Sequence, residues 1–210
     1  MEIIIWSKFE MKRKEYSAGA VKLSFWFVEF RKTVELLNKG QSFSQIKSLV
    51  LNENLFAAPT TLRANQIFNT VTGRIKSLDG SFIPLFLQSD LSTQKLFALV
   101  AAMAYDTLFW DFVYEVIREK ILLGICELSD SDVRIFFKDK QQQNEKVAKW
   151  TDATLVRLAR CYKTMLYEAG IIDKANAVRK ILRPILDPEL ERWLELNDMG
   201  VYIKALTGVR

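Results

Sequence analysis

The chain has 210 residues, 50% of them hydrophobic and 26% charged, with eight glycines and four prolines. That is ordinary globular composition, long enough for one large core or two small ones. It contains no histidine. Ser-His-Asp and Cys-His nucleophile pairs, HExxH zinc sites and mixed Cys/His zinc sites are thereby excluded. No GxxxxGK[ST] or GxGxxG loop occurs among the glycines, and no cofactor, metal or small-molecule substrate is expected.

Net charge is +5, unevenly distributed. Residues 1–78 hold 12 Lys/Arg against 6 Asp/Glu, residues 79–144 hold 6 against 10, and residues 145–210 hold 12 against 9. Two basic ends around an acidic middle suit a long polyanion, because each neutralised phosphate releases counterions. Cys126 and Cys161 form no CxxC pair and fall on predicted apolar helix faces. Buried free thiols in a reducing cytoplasm are expected. The apolar IIIW (3–6) is too short for a signal segment and precedes the basic KRK (12–14). The longest apolar run, LFALVAAMAY (96–105), is about half of the ~20 residues that a bilayer span requires.

Apolar residues recur mostly at helical spacing, which predicts a mainly α protein with helix-turn-helix and winged-helix-like elements. Residues 1–15 form an N-terminal extension in which Met11 is an alternative start to Met1; 16–80 form a helix-turn-helix-like region, 81–128 a central spine, and 129–210 a winged-helix-like region. A helix over about 22–38 buries Leu23, Trp26, Phe27, Phe30, Val34 and Leu37 and stops at Asn38-Lys39-Gly40. Ser42 or Ser44 caps the next, and Thr60 or Thr61 the third, which buries Ala64, Ile67, Phe68, Val71, Ile75 and Leu78. A helix over 91–105, capped by Asp90 or Ser92, and a second after Asp106 carry apolar residues around most of their circumference. These two should be the spine.

Ser129 or Ser131 caps a further helix, followed by the polar KDKQQQNEK. Another helix runs from Thr151 to Ala169, with Gly170 at its end. Ile171-Ile172, the loop DKANA and VRKILRPIL then predict a β-hairpin, the order of a winged helix, before a last short helix in PELERWLELND.

Two polar faces carry the functional expectation. The first, on the 60–77 helix, presents Thr60, Thr61, Arg63, Gln66, Asn69, Thr70 and Arg74 in a stretch (54–78) without a single Asp or Glu. Arg pairs with guanine and Asn or Gln with adenine, while Thr hydroxyls and helix N-terminal N–H groups hold phosphates. The second joins Lys146, Lys149, Thr151, Thr154, Arg157 and Arg160 to Lys174, Arg179, Lys180 and Arg183 of the hairpin, as a groove helix and basic wing. The acidic set Asp106, Asp111, Glu115, Glu119, Glu127, Asp130 and Asp132 lacks metal-ligand spacing and fits helix caps and an exposed face. The aromatics keep helical spacing and are assigned to the core.

YSAGA (16–20), the helix holding Trp26 and Glu29-Phe30-Arg31, TTLR (60–63) and KWTDATLVRL…YEAGII (149–172), in this order, resemble the BrxA family of bacteriophage exclusion (BREX) defence systems. The likeness spans about residues 11–195. It implies a mostly helical, non-enzymatic protein that binds double-stranded DNA and works with other BREX proteins, among them a methyltransferase and an ATPase. A comparison of members with the RNA-binding NusB fold adds an RNA-binding alternative, and docking to another defence component is a second.

Overall fold

The computed structural model describes residues 14–174 and 178–209. Of the expected extension over 1–15, only Lys14 and Glu15 are among them, and the tip of the expected hairpin, 175–177, lies outside. The protein is mainly α. A 3-10 turn at Ala18–Lys22 leads into α1 (Phe27–Asn38), α2 (Phe43–Asn52), α3 (Thr61–Ile75), α4 (Phe82–Gln88) and α5 (Leu91–Tyr105). Then come α6 (Thr107–Leu122), α7 (Asp130–Gln143), α8 (Glu145–Ala148), α9 (Asp152–Glu168), α10 (Pro188–Leu196) and α11 (Gly200–Thr207).

The helix starts follow local side-chain chemistry. Ser42 and Ser129 close reciprocal capping boxes with Gln45 and Asp132. Thr60, Asp90, Asp106 and Thr151 each accept a hydrogen bond from a first-turn N–H. α1 begins later than its apolar spacing suggests, because Trp26 adopts a left-handed backbone (φ 52°) after the 3-10 turn. α4 and α11 were not legible. α4 has only seven residues with a proline in its first turn, and α11 opens on a glycine with no side-chain cap. The polar KDKQQQNEK is helical up to Gln143 and again from Glu145, with Asn144 as the break between α7 and α8.

α5 is the centre: every residue from Leu96 to Met103 is buried, as its all-round apolarity requires. At Asp106 the chain turns through 114° into α6, whose middle (Val113–Arg118) winds as a π-helix. Among the described residues no single helix is long and apolar enough to cross a membrane; α5 and α6 pass that test only as a bent pair. Phe30, Phe82, Phe86, Phe97 and Trp193 interlock α1, α4, α5 and α10. Phe109, Phe112, Phe136, Phe137 and Tyr162 do the same for α6, α7 and α9. Burying each such ring is worth roughly 1.5–3 kcal/mol. The buried apolar residues form one cluster reaching from Ala20 to Leu206.

The expected hairpin after α9 is built differently. Residues 171–173 and 179–182 do run antiparallel, with Ile172 bridging Ile181. The second segment, β2 (Arg179–Lys180), also pairs on its other side with β1 (Glu127–Leu128), in the register Glu127 to Lys180 and Leu128 to Arg179. The ribbon is therefore tied to the chain ahead of α7 by a pairing that the local sequence does not announce. Cys126 lies at the entrance to β1 and is exposed, and Cys161 is half-buried on α9, so neither is the core thiol expected.

Candidate nucleic-acid interface

The two polar faces meet different fates. On α3, Thr60 and Thr61 stand exposed at the N-terminus, where the Thr60 hydroxyl accepts from the Arg63 N–H at 3.2 Å, and Asn69 is exposed further along. The rest of that face is covered by the segment Lys22–Trp26. The Arg63 guanidinium stacks 4.9 Å from the Trp26 ring centre and donates to the Lys22 carbonyl (3.0 Å) and the Gln66 side chain (2.7 Å). Thr70 is buried and donates to the Gln66 carbonyl at 3.0 Å.

Arg74 is only 2% exposed. It donates to the Phe25 carbonyl at 2.6 Å and reaches the Met165 sulfur of α9 at 3.8 Å. Burial lowers its pKa to about 10, against the pull of Asp106 and, more weakly, of Tyr105 and Glu168, so it stays charged at neutral pH. Thr70 and Arg74, expected on an outer face, are internal. Arg74 joins α3 to the entrance of α1 and to α9, while Thr70 bonds within α3.

α9 keeps its polar face open. Thr151 caps it, accepting from the Thr154 N–H at 3.3 Å, with the two hydroxyls 3.0 Å apart. Lys149, Arg157 and Arg160 are exposed and form no ion pair among the described residues, while Lys146, also exposed, pairs with Glu15 at 3.0 Å. Lys163 reaches back to Asp130 at 2.7 Å. On the ribbon, Lys174, Lys180 and Arg183 are exposed.

Arg179, expected among these outward cations, points inward. It is 1% exposed, donating to the Leu128 carbonyl (3.3 Å) and to Asp130 (2.9 Å). Asp130 thus clasps both α9 and the ribbon to the start of α7, and the Lys163 hydrogen bond, with Arg179 behind it, lowers its pKa.

The acidic set is split as well. Asp106 caps α6, and burial raises its pKa against hydrogen bonds from the Phe109 and Leu108 N–H groups and the charge of Arg74. Asp111, expected at the surface, is 3% exposed. It accepts from the Tyr16 hydroxyl at 2.6 Å and faces Lys140, which also pairs with Glu115 at 2.6 Å. No group of three or more Cys, Asp or Glu residues able to hold a metal occurs among the described residues. Lys47 and Lys76, absent from both expected faces, are exposed along a groove between α2 and α3.

The family model described as BrxA matches residues 14–198. The chain belongs to the BrxA family. A Bacillus cereus (strain H3081.97) relative, BREX protein BrxA, is 34% identical over 198 residues, covering 94% of this chain and 99% of that protein. Membership places the chain among BREX phage-defence components. A crystal structure of an uncharacterized protein from Magnetospirillum magneticum superposes with a TM-score of 0.77 over 93% of this chain and 100% of that one. At 18% identity, it shares the BrxA fold alone.

Proposed function

We propose that the chain is a non-enzymatic, double-stranded DNA-binding component of a BREX-type defence system, acting in the cytoplasm and gripping the phosphate backbone rather than reading bases. The carrying observation is the open face of α9. There the uncompensated cations Arg157 and Arg160 share a helix with the exposed Thr151 cap, with Lys149 just ahead of it, beside a ribbon whose Lys174 and Lys180 face solvent. Thr60, Thr61 and Asn69 of α3 offer a second, uncharged contact. Arg63 and Gln66 are committed to Trp26 and Lys22, and Arg74, Thr70 and Arg179 to the interior.

A mobility shift with duplex DNA and single-stranded RNA at two salt concentrations tests this. Duplex retention that falls steeply with salt supports the reading. RNA preference, or no shift at low salt, overturns it. Docking to another defence component is the second reading, favoured by apolar side chains left open near the ribbon, where Ile185 is 95% and Leu182 44% exposed. Co-purification of another BREX protein with the unbound chain would support it.

A further inference from the structure

Between the entrance of α1, the start of α5 and the end of α9 lies a cleft of about 620 Å³. Phe27, Val28 and Glu29 of the first turn of α1 line it, as do Tyr167 and Glu168 of α9, and Lys95 of α5 is its one basic residue. Its apolar lining is open to solvent, with Val28 60% and Tyr167 48% exposed. Glu29 and Glu168 are half-buried. Neither carboxylate forms an ion pair or a side-chain hydrogen bond among the described residues.

The cleft is short of one positive charge. Two carboxylates face one ammonium, and α9 ends there on its carbonyl pole, which favours cations, with no basic residue in its last turn. Glu168 stands in that last turn, where a negative charge is least favoured. Burial raises its pKa, as does Glu29, against the pull of Lys95 and Arg74. A metal ion does not answer the deficit. No third carboxylate or thiol joins the pair among the described residues, and Lys95 opposes a dication. We propose that this cleft docks another polypeptide, taking one of its arginines between Glu29 and Glu168 and an apolar neighbour of that arginine on Val28 and Tyr167. Arginine suits the cleft better than lysine, because a planar guanidinium bonds carboxylates through a fork of donors while lying on an aromatic ring, here Phe27 or Tyr167. The site shares no residue with the basic face of α9 and stands whether or not that face binds DNA.

The test titrates the isotope-labelled full chain with the tripeptide acetyl-Leu-Arg-Leu-amide and follows the amide resonances of the protein. A parallel titration uses the same peptide with citrulline, a neutral near-isostere, in place of arginine. The arginine peptide is expected to move the resonances of Val28, Glu29, Lys95, Tyr167 and Glu168, and the citrulline peptide to bind about tenfold more weakly. Glu29→Gln with Glu168→Gln should abolish that preference while the rest of the spectrum, and so the fold, stays unchanged. If that variant does not fold, the two wild-type titrations decide alone. Equal binding of the two peptides overturns the arginine site, as does the absence of shifts at these positions. Shifts of the same resonances on diluting the free chain would assign the cleft to a second copy, and shifts there on adding duplex DNA would assign it to nucleic acid. Either result would also overturn the proposal.

Discussion

α3 and α9 look alike in one dimension and differ in three. Each is capped by a threonine, buries a regular apolar stripe and carries arginines on the opposite face. In the folded chain the arginine flank of α3 is roofed by Lys22–Trp26, while Arg157 and Arg160 of α9 meet solvent. Helical spacing shows which side avoids the main apolar stripe. It does not show whether another stretch of chain will lie across the other side. Arginine makes the ambiguity worse, because a planar guanidinium can fill its donors with backbone carbonyls and stack on a ring, and so tolerates burial that would be costly for lysine.

The largest effect that follows is on stability. Arg74→Met should destabilise the fold by about 3 kcal/mol, since the Phe25 carbonyl loses a buried charged donor and α3 loses its tie to α9. Arg160→Ala, an equally polar position by sequence, should shift stability by less than about 0.5 kcal/mol. Urea unfolding of the two variants decides this, and equal midpoints would remove the distinction between the helices.

The opposite ranking is expected for DNA. Arg157→Ala with Arg160→Ala should weaken duplex binding by about tenfold across unrelated sequences and reduce the salt slope by about two, with the unfolding midpoint unchanged. A loss confined to one sequence would point to base reading by α9 and against backbone grip. Weaker still should be the effect of loosening the strap that precedes α1. Tyr16→Phe removes the 2.6 Å hydrogen bond to Asp111, which keeps Lys140 nearby, so a cost of about 1 kcal/mol in urea unfolding is expected. An unchanged midpoint would mean that the strap is held by its apolar contacts alone.

Much of this architecture was legible because local signals agreed with the tertiary outcome. The 91–105 helix begins after Asp90 and ends at Asp106, and its unbroken apolarity matches its central position. The same holds for the capped helices beginning at Thr61 and Asp152. What failed was non-local. Nothing near Arg179 indicates that its strand will pair with Glu127–Leu128, 51 residues away from the carbonyl it bonds. Nothing near Arg74 announces the Phe25 carbonyl, 49 residues upstream. The acid-free stretch describes the charge of the sequence, but two residues of the α3 flank it marks, Thr70 and Arg74, lie buried. The cations left open beside that helix, Lys47 and Lys76, lie on the side facing α2.

The smallest effect concerns the clasp that sets the ribbon beside α9. Asp130 binds Lys163 of α9 and Arg179 of β2, and these contacts lower its pKa. A carboxyl with a depressed folded pKa contributes stability above its unfolded value of about 3.9, and loses it as pH falls through the folded value. Its side chain is 64% exposed, so solvent screening limits the contribution to under about 1 kcal/mol. Asp130→Asn should therefore lower the urea midpoint slightly at pH 7, with the gap to wild type closing in acid as the folded carboxyl takes up its proton. A gap that persisted in acid would show that the asparagine disturbs the ribbon by shape and not by charge. The ribbon would then be fixed by Arg179 packing against Leu128, and its exposed Lys180 would keep its place beside α9 whatever the ionisation of Asp130.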